Sequence, residues 1–201
     1  MKNATDSLLQ EAMQTFVELL DEAKASIDPE PTAMTLSTAD GNGRVSARVV
    51  LLKGHDEDGF RFFTNRTSAK GRQLGAHHQA ALCFHWKQLR DGVQVRVEGT
   101  VAELPDPDSD AYFATRPRGS QLGAWASLQS QPLPDRETFE QRLAEFDAKF
   151  DGSEVPRPPH WGGYLLTPDR IEIWYGARYR LHERWQYTRD GDVWSKQMLY
   201  P

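Results

Sequence analysis

Three groups of cations in this sequence have the residue types and spacing to hold phosphate. The first lies in residues 112–130, YFATRPRGSQLGAWASLQS, where Arg116 and Arg118 flank a proline and Gly119 and Ser120 open what reads as a helix. Guanidinium groups are permanently charged forks that match phosphate oxygens. A hydroxyl and free backbone N–H groups at a helix start add donors aimed the same way. A phosphorylated small molecule fits these residues, and so does a solvated basic turn between two helices; the stretch alone does not separate the two.

The second group is Arg48 and Lys53, which bracket the apolar run Val49, Val50, Leu51 and Leu52, with Ser68 and Lys70 at the start of a short helix beyond Phe63 and Thr64. Strand alternation sends positions 48, 50 and 52 to one face and 49, 51 and 53 to the other. A ligand shared by Arg48 and Lys53 therefore has to lie along an edge or an end. The third group is RYRLHER at 178–184. In an extended chain Arg178, Arg180, His182 and Arg184 form one row, beside a Trp174 that either joins the core or borders a planar ring. Such a row repels itself unless anions, or acidic neighbours such as Glu172 and Glu183, offset it.

No nucleophile elbow, phosphate-binding glycine loop or metal-ligand spacing occurs. His77 and His78 are adjacent, so their side chains diverge and read as surface, while His85 and His160 read as satisfied structural histidines. The chemistry is then expected to come from a bound organic cofactor.

At 201 residues, one core and a single domain spanning 1–201 are expected. With 24 basic against 29 acidic residues, a net charge of −5 argues against non-specific nucleic-acid binding, so any phosphate site is local. The lone Cys83 permits no internal disulfide and reads as packing in ALCFHW. No segment approaches the roughly 18 apolar residues of a membrane span, and the N-terminus lacks a signal-peptide pattern, so a cytoplasmic location is expected.

To position these cations, apolar residues at three- and four-residue spacing from Leu8 to Ala23 predict an amphipathic helix within residues 1–28. Strands are expected at 32–38, 44–53 and 60–64, with turns at 40–43 and 55–59, and these three in sequence suggest a meander or barrel. A short helix at 68–76, strands at 80–86 and 93–104, helices through the central stretch and around Phe139 to Phe150, strands at 161–167 and 171–174, and a last hairpin turning at Gly191 complete the chain. The class is mainly β with added helices, an antiparallel barrel of six to eight strands.

RVVLLK at 48–53, FFTN at 62–65, SAK at 68–70, the whole 112–130 stretch, WGG at 161–163 and IEIWYGARYRLHERW at 171–185 resemble the pyridoxine/pyridoxamine 5′-phosphate oxidases. The resemblance covers nearly all of the chain after about residue 30. It implies a split β-barrel homodimer that binds flavin mononucleotide (FMN) between subunits, with residues 171–201 as a dimerisation and substrate segment. It also implies oxidation of pyridoxamine or pyridoxine 5′-phosphate to pyridoxal 5′-phosphate, with oxygen reduced to hydrogen peroxide. Carried over by position, the flavin falls to Arg48, Val49, Val50, Leu51, Leu52, Lys53, Phe63, Thr64, Lys70, Gln94, Gln129, Ser130, Trp174 and Arg184. The substrate falls to Lys53, Tyr112, Arg116, Ser120, Arg180, Leu181 and His182, with Arg180 and His182 at the reacting carbon and ring hydroxyl.

Ala69 stands where the family often has arginine, Phe63 where it has tyrosine, and KQMLYP differs from the common ending. Two rivals fit the same residues: a related flavin enzyme of the phenazine-biosynthesis type, and a non-catalytic flavin or pyridoxal phosphate binder.

Overall fold

The computed structural model describes residues 4–201. Helix α1, Ala4–Ala25, answers the helix expected within residues 1–28, of which 1–3 lie outside the described residues. Its Ala12, Met13, Phe16, Leu19, Leu20 and Ala23 are all buried, as the spacing requires. Phe16 is the hub, with its ring centroid 4.9 Å from Phe60, 5.1 Å from Phe84 and 6.1 Å from Trp86. Through this ring α1 is packed onto the strands that carry Phe60, Phe84 and Trp86.

Among the described residues nine strands form one antiparallel sheet that curls into a half-barrel. They are β1 (Ala33–Ala39), β2 (Val45–Leu51), β3 (Gly54–Asp56), β4 (Gly59–Asn65), β5 (Gln79–Trp86), β6 (Val93–Glu103), β7 (Trp161–Tyr175), β8 (Glu183–Asp190) and β9 (Val193–Leu199). The order is β2-β1-β5-β6-β7-β4-β3, with β8 on β7 and β9 on β8. Helices α2 (Ala69–Ala76), α3 (Asp106–Ala114), α4 (Arg118–Ala126) and α5 (Arg136–Lys149) decorate it. On β6, Val93, Val95 and Val97 are fully buried while Gln94, Arg96 and Glu98 face the other side, the alternation of a sheet covered on one face.

The first three predicted strands do not form a meander. The β1–β2 hairpin forms as expected, with Gly43 at φ 78° in its turn, but β4 pairs with β3 and β7. The short β3 occupies what reads from sequence as a turn. The reason is the length of β7: its first half takes β4 on the edge whose second half takes β8, while β6 pairs along its other edge. The strands expected at 161–167 and 171–174 are this one strand. Pro168 is tolerated inside it because the β6–β7 register shifts between Glu98 and Gly99, a bulge that asks no ladder hydrogen bond of the proline.

Other local readings also change. The sequence 178–184 is not an extended row: Arg178–Arg180 is a 3-10 turn with Tyr179 at φ 58° and Arg180 at φ 63°. His85 is exposed, because it falls between the inward-facing Phe84 and Trp86 on β5, and Cys83 is only half-buried for the same reason. His160 is satisfied as expected, its Nε2 3.0 Å from the Ala124 carbonyl oxygen.

Candidate functional site

Edge strand β2 and strand β4, which lies next to the opposite end of the sheet order, flank one cavity of about 290 Å³. Arg48, Val49, Val50, Leu51 and Lys53 line it from β2 and its exit, and Phe63 and Thr64 from β4. Lys70 of α2, Tyr112 of α3, Arg116, Gln129 and Trp161 complete the wall. The edge location is the one that lets Arg48 and Lys53 share a site despite opposite alternation, because β2 ends at Leu51 and the chain turns there. Leu52 points away into the core, 4% exposed.

The local chemistry follows from the elements. Ser68 caps α2, accepting from the Gly71 N–H, and so fixes the turn that carries Lys70. Lys70 Nζ donates to Gln129 Oε1 at 2.9 Å and lies 3.2 Å from Thr64 Oγ1. Arg48 donates to Thr38 Oγ1 at 2.6 Å, Gln73 Oε1 at 3.1 Å and the Leu36 carbonyl at 3.1 Å. Burial holds the Arg48 guanidinium and the Lys70 ammonium below their usual ranges, with the Arg48 charge adding to the effect on Lys70.

On the opposite wall the rings of Phe63 and Tyr112 stack at 4.1 Å, and Phe63 and Trp161 at 5.3 Å. Gly162 and Gly163 allow this packing: a Cβ at Gly163 would stand 2.6 Å from the Phe63 ring, and one at Gly162 2.6 Å from the Arg66 guanidinium. The Arg116 guanidinium lies 4.9 Å over the Trp161 ring. Its Nη1 is buried without a hydrogen-bond partner, and burial lowers its pKa while raising that of Tyr112. Four cations therefore line this cavity and no carboxylate does. Among the described residues, Arg48, Lys53, Lys70 and Arg116 have no acidic group within 4.0 Å.

Arg118 is not part of this wall. It ties the start of α4 to the Ser153 carbonyl at 2.9 Å and the Phe150 carbonyl at 3.0 Å. Ser120 is the third residue of α4 rather than its cap, which is Pro117; Ser120 is exposed and outside the cavity lining. Ser130 is exposed at φ 70°, a left-handed conformation unusual for serine, directly after Gln129.

Gln94, Trp174 and Arg184 come together elsewhere, as direct cross-strand neighbours on β6, β7 and β8. The buried Glu172 holds Arg184, 2.9 Å from its Nη2, and Arg96 at 3.4 Å. His182 packs 4.5 Å from the Trp174 ring, and its Nδ1 accepts the Ala177 N–H at 3.1 Å, which puts the proton of the neutral ring on Nε2. Arg180 and Leu181 are exposed beside it. This second cluster stands at the far end of β7 from Trp161, roughly 40 Å along the strand. Sequence reasoning singled out no role for Arg66, Arg157 or the individual Trp161 side chain, since isolated residues in a proline-rich loop or at a strand start carry no spacing signal.

Known proteins give this arrangement a relation. The family described as pyridoxamine 5′-phosphate oxidase matches residues 11–150, and that described as the pyridoxine 5′-phosphate oxidase C-terminal dimerisation region matches 161–201. The pyridoxine/pyridoxamine 5′-phosphate oxidase of Xanthomonas euvesicatoria pv. vesicatoria is 55% identical, over 96% of this chain and 98% of that protein. That of Myxococcus xanthus is 54% identical, over 94% and 91%. The crystal structure of PhzG from Burkholderia lata, in complex with tetrahydrophenazine-1-carboxylic acid, superposes with a TM-score of 0.88 at 33% identity, over 94% of this chain and 92% of that one. On these matches the chain belongs to the pyridoxine/pyridoxamine 5′-phosphate oxidase family of enzymes.

Proposed function

We propose that this protein oxidises pyridoxamine 5′-phosphate and pyridoxine 5′-phosphate to pyridoxal 5′-phosphate, with FMN as cofactor and oxygen as acceptor. The observation that carries the reading is the cavity lined by Arg48, Lys53, Lys70 and Arg116 without a carboxylate. Arg48, Lys70 and Arg116 are half-buried and Lys53 is exposed; half-buried cations lacking counter-ions cost stability, and phosphate dianions offset that cost. Arg116 Nη1, buried with no partner, is a donor waiting for an acceptor of this kind. The reaction brings two phosphorylated molecules together, and the donor set fits both.

Arg48, Lys70 and Thr64 would hold the flavin phosphate, with the 49–52 backbone and Phe63 along the flavin. Lys53, Tyr112, Arg116 and Ser120 would hold the substrate phosphate. Held by these residues, FMN would supply two-electron chemistry, taking up the hydride of the carbon bearing the amine or alcohol; that hydride and the proton lost from the amine or alcohol would leave with oxygen as hydrogen peroxide.

Gln94, Trp174 and Arg184 would close on the flavin, and Arg180, Leu181 and His182 on the substrate, from a second copy of the chain. The distance along β7 and the match of residues 161–201 to a dimerisation region support a homodimer with sites at its interface. Gln129 and Ser130 complete the flavin set. His182, with Nδ1 already engaged by the Ala177 N–H, presents Nε2–H as a donor, and Arg180 offers a permanent charge beside the reacting centre.

The likeness to PhzG favours a second reading, a related flavin enzyme acting on another planar substrate. Oxygen consumption by the flavin-loaded protein separates the two. Peroxide and aldehyde from the vitamin phosphates support the first reading, and a flavin spectrum with poor turnover of both supports the second.

A further inference from the structure

Resting on the oxidase reading, we propose that Arg157 is a positioning residue for the phosphate end of the substrate site, acting through Trp161 and helix α3. Its side chain is 9% exposed and its guanidinium bridges two elements. Nε donates to Asp110 Oδ1 at 2.6 Å, Nη2 lies 3.0 Å from Asp106 Oδ1, and Nη1 donates to the Trp161 carbonyl at 2.6 Å. Asp106 and Asp110 stand one turn apart on one side of α3, so the fork grips the helix at two points and the first residue of β7 at a third.

Those two elements carry the proposed phosphate donors. Tyr112 follows Asp110 on α3 and stacks on Phe63, itself stacked on Trp161. Arg116 leaves the end of the same helix and returns over the Trp161 ring at 4.9 Å. With no carboxylate of its own, Arg116 is located by the helix before it and the ring beneath it, and Arg157 fastens both. Arg66 shares Asp106 at 3.2 Å, but its other contacts are Glu103 at 3.0 Å and the Pro159 carbonyl at 3.4 Å, so it does not reach Trp161 O. A lysine at position 157 keeps the charge and loses the planar three-way grip.

The test uses the flavin-loaded enzyme and its R157A and R157K variants, with pyridoxamine 5′-phosphate and unphosphorylated pyridoxamine compared as substrates. In R157A the KM for the phosphorylated amine rises about tenfold with kcat within about twofold, because positioning of a binding group is lost and the chemistry is not. The KM for pyridoxamine and the flavin content stay as in the wild type, and R157K falls between. Equal losses for both amines would mean a merely structural residue and overturn the proposal, as would an unchanged KM for the phosphorylated one. If R157A does not fold, D110N is expected to shift the same KM by a smaller factor, and no shift overturns the proposal. A wild-type enzyme that oxidises neither amine overturns the oxidase reading instead; titration with pyridoxal 5′-phosphate then decides on Arg157, about tenfold weaker binding in R157A supporting it and equal binding overturning it.

Discussion

Lys70 Nζ stands 2.9 Å from Gln129 Oε1, a contact that spans 59 positions of sequence and joins helix α2 to the loop after α4. Among the described residues the ammonium meets only neutral oxygens there, which is an incomplete set of partners for a charge that burial already disfavours. On the proposed reading, the flavin phosphate completes it. Replacing Lys70 with methionine removes a charge-assisted contact worth about 1.5–3 kcal/mol, so FMN should bind about ten- to a hundredfold more weakly. Fluorescence titration of the flavin-free protein measures this, and an unchanged Kd would remove Lys70 from the phosphate site. Gln129→Ala should weaken binding less, since a neutral hydrogen bond is lost.

On the proposed reading, Arg180 should separate binding from chemistry. It is exposed in the single chain and held in a left-handed conformation at φ 63°, an arrangement with a conformational cost. Arg180→Ala should lower kcat about a hundredfold, the scale of losing one aligned charge at a reacting centre, while leaving flavin content intact. Parallel loss of flavin and turnover would instead make Arg180 a flavin ligand.

The cations around the cavity were legible in the sequence because each is tied to a local signal. Ser68 marks a helix start, the apolar run 49–52 marks a strand, and RPRG marks a break between helices. What joins them was not legible. That Phe63 of β4 meets Tyr112 of α3 depends on β4 pairing with the first half of β7, a contact made across a hundred positions of chain. Local alternation suggested a meander or barrel from the first three strands, without β4's partner in β7, and an extended row for 178–184. Tertiary pairing decided the first, and two left-handed residues at 179 and 180 decided the second. The split between Arg116 and Arg118 was equally hidden, because only the packing of α4 against α5 sends one guanidinium to carbonyls and leaves the other free of carboxylates.

His55 should make stability depend on pH. Its ring packs edge-on against Phe16 at 5.5 Å, and burial holds its pKa below the ordinary 6.5, with Lys24 acting in the same direction and Asp21 and Asp56 opposing. The unfolded chain then binds more protons than the folded one between the depressed value and 6.5. Stability contributed by the neutral ring is full above that window and is lost as pH falls through it. Urea midpoints measured from pH 5 to 8 should rise with pH in the wild type and rise less in His55→Phe. Identical slopes would show that other groups carry the dependence.

The two cationic clusters make the dimer testable without any structure of it. Arg116 belongs to the cavity at the Trp161 end of β7 and Arg180 to the cluster at the Trp174 end, with roughly 40 Å of strand between them. If each site takes Arg116 from one chain and Arg180 from the other, R116A and R180A homodimers both have two damaged sites. A mixed dimer has one site with both defects and one with neither. Random reassortment puts about half of the chains in mixed dimers, so co-refolding equal amounts of the two variants should restore about a quarter of wild-type activity. Restoration should also follow the slow step of subunit exchange and disappear if the variants are mixed after being cross-linked separately. Activity that stays at the level of the separate variants, with mixed dimers demonstrated by a size-tagged chain, would mean that Arg116 and Arg180 serve the same site from a single chain, and the interface reading of the cavity would fall with it.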